Sequence, residues 1–423
     1  MVIGVFCFRN DLRLHDNQAL QNALNQCDRL YLIYSFEDRV WKSENPRRIS
    51  IHRAQFILES VLCLSHSISK AGGFLHITQG NIEDAIPIFM EEVGADICFL
   101  SEENAWEEKG VENSLSKIVH LRTDYNKTLI HLKDLPFEFK NLPETFSKFR
   151  KLVEGNWQVD SCVGSVNVIH SSCHKISTLP PLKDFGLYPS NPSRHSCFKF
   201  KGGTLSGQKR LKDWIWRKGC ISKYKETRNQ LSGPDFSSRF SPWISIGCLS
   251  PREIYWEIKK YESKHGSNES TYWLIFELLW RDFFQFSARF HGAKIFHSRG
   301  IHPERPSVHE PENAESLFVA WKNGRTSNSF INANMNELRE TGWMSNRGRQ
   351  NVASYLVNDL GLEWRRGAEW FEEQLIDYDP CSNYGNWLYL SGFGNDPRTT
   401  RYFNPSKQSA TYDPDGIYTR AWA

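Results

Sequence analysis

Long hydrophobic runs are missing from this 423-residue chain. No apolar stretch approaches the roughly 20 residues that a membrane span requires, so no membrane partner is expected. The ten cysteines stand singly. With no C-x-x-C pair and no Cys/His cluster at metal-ligand spacing, neither a disulfide framework nor a metal site is expected, and a reducing compartment suits them. A strong charge of either sign is also lacking. The net charge of +3 does not announce a nucleic-acid ligand, although a basic patch can hide within a near-neutral total. The N-terminus "MVIGVFCFRNDLRLHD" is too short and too acidic for a signal or transit segment, so a cytoplasmic or nuclear location is expected. Internal repeats and low-complexity tracts are absent.

Aromatic residues are abundant: they make up 13% of the chain and include 15 tryptophans. Such a content serves a core of packed rings or a flat ligand. At 49.2 kDa the chain is long enough for two domains. Its first third carries five short apolar runs, "VIGVFCF", "RLYLIYSF", "GFLHITQ", "ADICFLS" and "TLIHL". Most lack period-2 alternation, as strands buried on both faces do. Between them lie helical spacings, notably Ser50 to Ser69 with Ile51, Ala54, Ile57, Leu58, Val61, Leu62 and Leu64 on one side. Strand and helix in alternation predict a parallel sheet covered by helices. The G-x-G-x-x-G fingerprint is missing after the first strand, where "FRNDLRLHDN" stands instead, so the fold alone assigns no dinucleotide.

The predicted architecture is therefore α/β plus all-α. A Rossmann-like parallel-sheet domain spans 1–133, and a Pro-, Ser- and Asn-rich connector spans 134–200. A helical domain spans 201–423, where strand-like runs vanish and "REIYWEIKKYES", "STYWLIFELLWRDFFQFSARF", "NVASYLVNDLG" and "GAEWFEEQLIDYD" keep a 3.6-residue period.

Chemistry concentrates in the helical half. In "DYDPCSNYGNW" two carboxylates, Asp377 and Asp379, precede Asn383 and Trp387, a density that suits a flat, hydrogen-bonding ligand. In "SGPDFSSRFSPW" Ser237, Ser238 and Ser241 surround Arg239, with Tyr224 upstream; hydroxyls and one guanidinium make a diphosphate cradle, although Ser-rich loops also simply cap helices. In "ELLWRDFFQF" Glu277, Trp280, Arg281 and Phe284 fall on neighbouring helical positions. The ordinary reading is a core helix with a satisfied ion pair; the alternative is a stacking face beside a hydrogen-bonding group for an extruded base. In "MSNRGRQ" Arg347 and Arg349 occupy a helix first turn, the wrong sign for the dipole. A tie to an anion such as Asp377 explains them better than helix stability does.

Taken in order, "FRNDLRLHDN", "YKETRN", "SSRFSPW", "FELLWRDFF", "TGWMSNRGRQNVASYLVNDLGLEWRRGAEWFE" and "DYDPCSNYGNWLY" resemble the cryptochrome/photolyase family, specifically its DASH-type branch. The resemblance spans nearly the whole chain. It implies that the helical domain binds FAD, that the α/β domain holds an antenna, and that light drives repair of cyclobutane pyrimidine dimers, preferentially in single-stranded DNA. It places Asp377 and Asp379 against the flavin and adenine parts, Asn383 at flavin N5, and Arg349 on Asp377. It gives the diphosphate and ribityl chain to Tyr224, Ser237, Ser238, Arg239 and Ser241, and adds Arg281 and Asn346 to the cofactor contacts. Glu277, Trp280, Arg281, Asn346, Arg347, Gln350 and Tyr389 fall in the lesion pocket and on DNA. Trp387 and Trp364 begin the tryptophan chain that photoreduces the flavin. Gln350 and Tyr389 mark the DASH branch, where typical duplex photolyases carry Met and Trp. Glu108 is the candidate contact of an antenna pterin such as methenyltetrahydrofolate, with a deazaflavin as the other antenna type. A monomer is expected.

Two departures stand out. No tryptophan precedes Trp321 in "HEPENAESLFVAW", where the family carries its third; Trp343 and Trp370 are the candidate substitutes. The usual G-x-T-G-x-P-x-V-D-A-x-M-R reads "GRTSNSFINANMN", with Ser327, Ser329, Asn332 and Asn336 in altered positions, which bears on rigidity near the flavin. A photosensor or nucleic-acid binder with little repair is the alternative function. An electron carrier unrelated to DNA is a third, against which Glu277, Trp280 and Tyr389 argue.

Overall fold

The computed structural model describes residues 1–44, 46–167, 169, 178–189, 193–396, 398 and 401–423. Strands β1 (Ile3–Phe8), β2 (Arg29–Phe36), β3 (Leu75–Gln79), β4 (Ile97–Ser101) and β5 (Leu121–Asp124) form one parallel sheet in the order β3-β2-β1-β4-β5. The central β1 pairs Ile3 with Arg29 on one side and Gly4 with Ile97 on the other. Its side chains alternate: Phe6 and Phe8 enter the core that continues into the helical half, while Val5 and Cys7 enter a smaller core on the opposite face. Both faces are covered, so these strands read as unbroken apolar runs. Helices α1 (Gln18–Gln26), α2 (Ile51–Lys70), α3 (Ile82–Val93) and α4 (Trp106–Leu115) make the crossovers. The predicted helix after Ser50 is α2, which buries Ala54, Val61, Leu64 and Ile68; Leu62, expected on that face, points outward.

One expected strand is not a strand. Residues 128–132, "TLIHL", form irregular chain and a short 3₁₀ turn, and the fifth strand is the polar edge segment "LRTD". Leu129 and Ile130 are buried, but against the helical half: their backbone N–H groups donate to the Asp282 carboxylate at 3.0 and 2.8 Å. Burial by a neighbouring domain leaves the same apolar signature as burial in a sheet.

The loop after β1, where the dinucleotide fingerprint is missing, instead docks the two halves. Leu12 N–H donates to Ile246 O at 3.1 Å, Arg13 Nη1 to Gly247 O at 2.9 Å, and Arg252 Nη2 to Asp16 Oδ1 at 2.7 Å. Gly247 has φ +71°, and a Cβ there would lie 2.2 Å from Asn10 O, so the contact requires glycine.

The expected connector is more than coil. Residues 168, 170–177 and 190–192 lie outside the described residues, but the stretch includes α5 (Phe146–Gly155), which buries Phe146, Phe149 and Val153. Beyond it come α6 (Thr204–Lys212), α7 (Ser241–Ser245), α8 (Pro251–His265), α9 (Glu269–His291), α10 (Ala314–Lys322), α11 (Ser329–Thr341), α12 (Asn346–Ser354), α13 (Trp364–Gln374), α14 (Pro380–Ser391), α15 (Pro405–Tyr412) and α16 (Ile417–Ala421). Asn268 opens α9 with a capping box, and α14 packs against both α9 and α13. Among the described residues no helix is long and apolar enough to cross a membrane.

The altered segment, which runs into α11, is tied down by its own substituted residues. Asn332 Oδ1 accepts from Thr326 N–H at 2.8 Å and from Thr326 Oγ1 at 2.7 Å, and its Nδ2 returns a bond to Thr326 O at 2.8 Å. Asn336 Nδ2 reaches Trp422 O at 2.8 Å.

Candidate functional site

A cavity of about 500 Å³ opens in the helical half, between the 237–241 loop, α9, the start of α12 and α14. Its floor is the short segment that precedes α14. Arg349 Nη2 donates to Asp377 Oδ1 and Oδ2 at 3.0 and 2.9 Å, and Ser241 Oγ donates to Oδ2 at 2.6 Å. The cation that opposes the α12 dipole is therefore committed to a buried carboxylate. Asp379 caps α14, accepting from Ser382 N–H at 2.7 Å. Asn383 lies one turn on; its Nδ2 donates to Ala368 O at 2.9 Å, which leaves the amide oxygen as the acceptor offered to the cavity.

One wall is the Ser-rich loop. Arg239 holds a left-handed backbone, φ +57°, and its guanidinium lies 5.0 Å from the Trp343 ring. Arg210 braces this loop by donating to Ser237 O and Ser238 O, both at 3.0 Å. Arg239 Nη1 and Trp343 Nε1 are buried donors without a hydrogen-bond partner. Tyr224, Ser237 and Ser238 line the same side.

The aromatic wall comes from α9 and the far end of α14. Trp280 stacks on Phe146 of α5, ring centroids 3.8 Å apart, and meets Tyr389 edge-on at 5.3 Å. Glu277 accepts from Tyr224 OH, and from Arg228 Nη1 at 3.1 Å. Burial nevertheless raises the Glu277 carboxyl above the ordinary range, with Tyr224 and Arg228 opposing the rise. Arg281, Asn346 and Gln350 complete this side, although Arg281 Nη1 is already bonded to Lys127 O at 2.7 Å. Trp387 lines the interior, with ring neighbours Phe371 at 5.1 Å and Trp321 at 6.5 Å.

Three expected site residues do not line this cavity. Trp364 is fully buried behind it, bonded through Nε1 to Ser298 O at 2.9 Å and facing Tyr384. Arg347 lies over the Tyr412 ring at 4.8 Å and donates to Asn229 Oδ1 at 3.1 Å. Glu108 lines a second cavity, of about 290 Å³, with Arg48, Glu107, Glu372, Tyr378 and Tyr384. Its Oε2 is buried without a partner, and burial, reinforced by Glu103, pushes its carboxyl up to about 7. Trp343, a candidate substitute for the missing tryptophan, stacks on Phe198 at 5.1 Å and lines the main cavity.

Sequence reasoning missed Phe146, within the expected connector, and Arg401, whose guanidinium covers the Tyr389 ring at 4.3 Å. It also passed over Arg228, although "YKETRN" contains it.

Two family models match the chain: "DNA photolyase" over residues 5–163 and "FAD binding domain of DNA photolyase" over 273–423. A cryptochrome DASH of Danio rerio is 43% identical over 99% of this chain and 82% of its own length. The crystal structure of Synechocystis sp. PCC6803 cryptochrome superposes with TM-score 0.94 at 42% identity, covering 100% of this chain and 89% of that one. An archaeal photolyase from Sulfolobus tokodaii, solved with two FAD molecules, superposes with TM-score 0.80 at 26% identity, covering 100% and 90%. A parallel-sheet domain joined to a helical domain with an FAD-binding match defines a flavoprotein of the photolyase class. The chain belongs to the cryptochrome/photolyase family, in its DASH-type branch.

Proposed function

We propose that this protein binds FAD in the main cavity and repairs cyclobutane pyrimidine dimers in light, preferentially in single-stranded DNA, as a deoxyribodipyrimidine photolyase. The observation that carries this reading is the pairing, in one cavity, of a polar interior with an aromatic mouth. The interior fits FAD: two buried donors, Arg239 Nη1 and Trp343 Nε1, have no acceptor within the protein, and a diphosphate with its flanking groups supplies acceptors. The volume lies in the range of cofactor sites. Tyr224, Ser237, Ser238, Arg239 and Ser241 hold the diphosphate and ribityl chain, while Arg349, Asp377, Asp379 and the Asn383 oxygen hold the rings. FAD, when bound, reduced and excited by light, supplies the electron that splits the dimer. Trp280 and Tyr389 flank an extruded dimer, and Glu277, held by Tyr224 and Arg228, lies beside it. Extrusion costs least from a single strand.

The test is illumination of the chemically reduced protein with dimer-containing oligonucleotides, single-stranded and duplex. Restored pyrimidines are counted. No restoration overturns the repair reading, and equal rates overturn the strand preference. A photosensor with little repair is favoured by one observation: Arg347, an expected DNA contact, is already engaged by Asn229 and Tyr412. The same experiment decides between the two. The second cavity takes an antenna, and the unpartnered Glu108 carboxyl suits the N–H edge of a pterin such as methenyltetrahydrofolate. The two FAD molecules of the Sulfolobus tokodaii photolyase make a second flavin the alternative occupant.

A further inference from the structure

Asp379 is held by a buried chain of side-chain amides that begins in the α/β domain. Gln285 Nε2, on α9, donates to Asp379 Oδ1 and Oδ2, both at 3.0 Å. Gln285 Oε1 accepts from Asn104 Nδ2 at 2.8 Å. Asn104, in the loop between β4 and α4, also donates to Tyr125 OH at 3.2 Å, and its Oδ1 accepts from Arg289 Nη1 at 3.4 Å. Arg289 is anchored in turn by Nη2 on Glu102 at 2.8 Å. Asn104 and Gln285 are fully enclosed, and of these six residues only Asp379 lines the main cavity.

The roles along this chain are not interchangeable. A guanidinium can only donate and a carboxylate can only accept. Asn104 must therefore turn its oxygen to Arg289 and its nitrogen to Gln285, and Gln285 must turn its oxygen to Asn104 and its nitrogen to Asp379. Each amide is locked in one of its two orientations by the ends of the chain. In a low-dielectric interior, a reversed amide would set two oxygens against each other.

We propose that Asn104 and Gln285 are positioning residues through which the α/β domain fixes the direction in which Asp379 accepts hydrogen bonds, and so sets the affinity of the main cavity for FAD. The proposal rests on the FAD reading above, and its geometry exists without the cofactor. Asn104 touches neither Asp379 nor the cavity, and of its hydrogen bonds the one to Gln285 leads to Asp379.

Double-mutant cycles test the relay, read both as the FAD dissociation constant and as the unfolding midpoint of the FAD-free protein. Asn104→Asp cannot donate to Gln285; Gln285 then turns its nitrogen toward position 104 and its oxygen toward Asp379. FAD should bind at least about tenfold more weakly, the scale of one lost hydrogen bond to a charged group. Asp379→Asn weakens FAD by itself, but in the double variant its new amide can donate to the reversed Gln285. The two losses should then multiply to about tenfold more than the double variant shows, with the same sign of non-additivity in the midpoint. Losses that simply multiply overturn the relay. Should Asn104→Asp not fold, the milder pair Asn104→Ala and Gln285→Leu decides. Each breaks the same chain, so together they should weaken FAD scarcely more than either alone, and independent effects overturn the proposal. If no FAD binds at all, the FAD reading fails, while the midpoint cycle still judges the relay.

Discussion

Glu108→Gln is expected to stabilise the protein in alkaline solution and to leave it nearly unchanged in acid. Glu108 sits in the first turn of α4, where the helix dipole favours a negative charge, yet burial wins and its carboxyl is pushed from an ordinary 4.5 up to about 7. In the unfolded chain the carboxyl ionises near its ordinary value. Between that value and 7 the folded protein holds one proton more than the unfolded chain, so stability falls as pH rises through this window. Once ionisation is complete, the loss is roughly 3 kcal/mol, at about 1.4 kcal/mol per pH unit. Glutamine keeps the shape and carries no charge. Urea unfolding of both proteins at pH 5 and pH 8.5 should therefore show a difference under about 1 kcal/mol at the lower pH and roughly 3 kcal/mol in favour of the variant at the higher. Asp282 and Glu337, whose carboxyls also rise to about 7, are common to both proteins and cancel. Equal differences at the two pH values would refute the reasoning. A pterin that presents N–H donors to Glu108 favours its ionised form, so pterin affinity should increase as pH rises through 7.

Trp280→Ala should weaken binding of dimer-containing single strands by about 1–3 kcal/mol, the scale of one stacking contact, with FAD content unchanged; parallel loss of FAD would mean that the ring serves only the core. Asn383→Asp sets a carboxylate where an amide oxygen now faces the cavity and should change which flavin species accumulates under light more than it changes the unfolding midpoint; identical illuminated spectra would displace Asn383 from the ring. Photoreduction of oxidised flavin should be slow while repair by chemically pre-reduced protein stays intact. Trp321→Phe should slow photoreduction further, because Trp321 is the tryptophan whose ring faces Trp387 at 6.5 Å, and Trp343→Phe should not. Rapid photoreduction in Trp321→Phe, measured by absorbance under constant light, would contradict this route.

The parts of the site legible in the sequence are those whose residues lie close together along the chain. "DYDPCSNYGNW" folds into one short connection and the first turns of α14, so its carboxylates and amide reach a single cavity without long-range help. The misplaced charge of Arg349 foretold an anion, and the anion is Asp377, 28 residues on. Long-range contacts left no such trace. Phe146 backs Trp280 from a short helix in the connector, 134 residues away along the chain, and Asn104 meets Gln285 across 181 residues. "TLIHL" was misleading because its burial comes from the docked helical domain rather than from a sheet. Glu108 carries an acid's usual signature on a helix start; only the meeting of residues 46–48, 107–108 and 369–384 turns it into the wall of a cavity.

The two cavities share a wall, and that wall is the segment between α13 and α14. Tyr378 borders both, Asp377 and Asp379 line the larger one, and Pro380 lines the smaller. The chain turns at Asp377, where Tyr378 N–H donates to Leu375 O at 3.3 Å, and is extended at Asp379, with φ −138° and ψ 124°. Each residue is anchored to a different part of the fold: Asp377 to Arg349 and Ser241, Tyr378 beneath the Arg53 guanidinium at 4.8 Å, and Asp379 to Gln285. Anchors on separate elements resist rotation of the segment as a whole, because turning it would break all of them together. A chromophore in the smaller cavity and a flavin in the larger would then be separated by one fixed layer of side chains. Movement of the α/β domain would reach that layer through Arg53 and through Asn104, two contacts that converge on neighbouring residues.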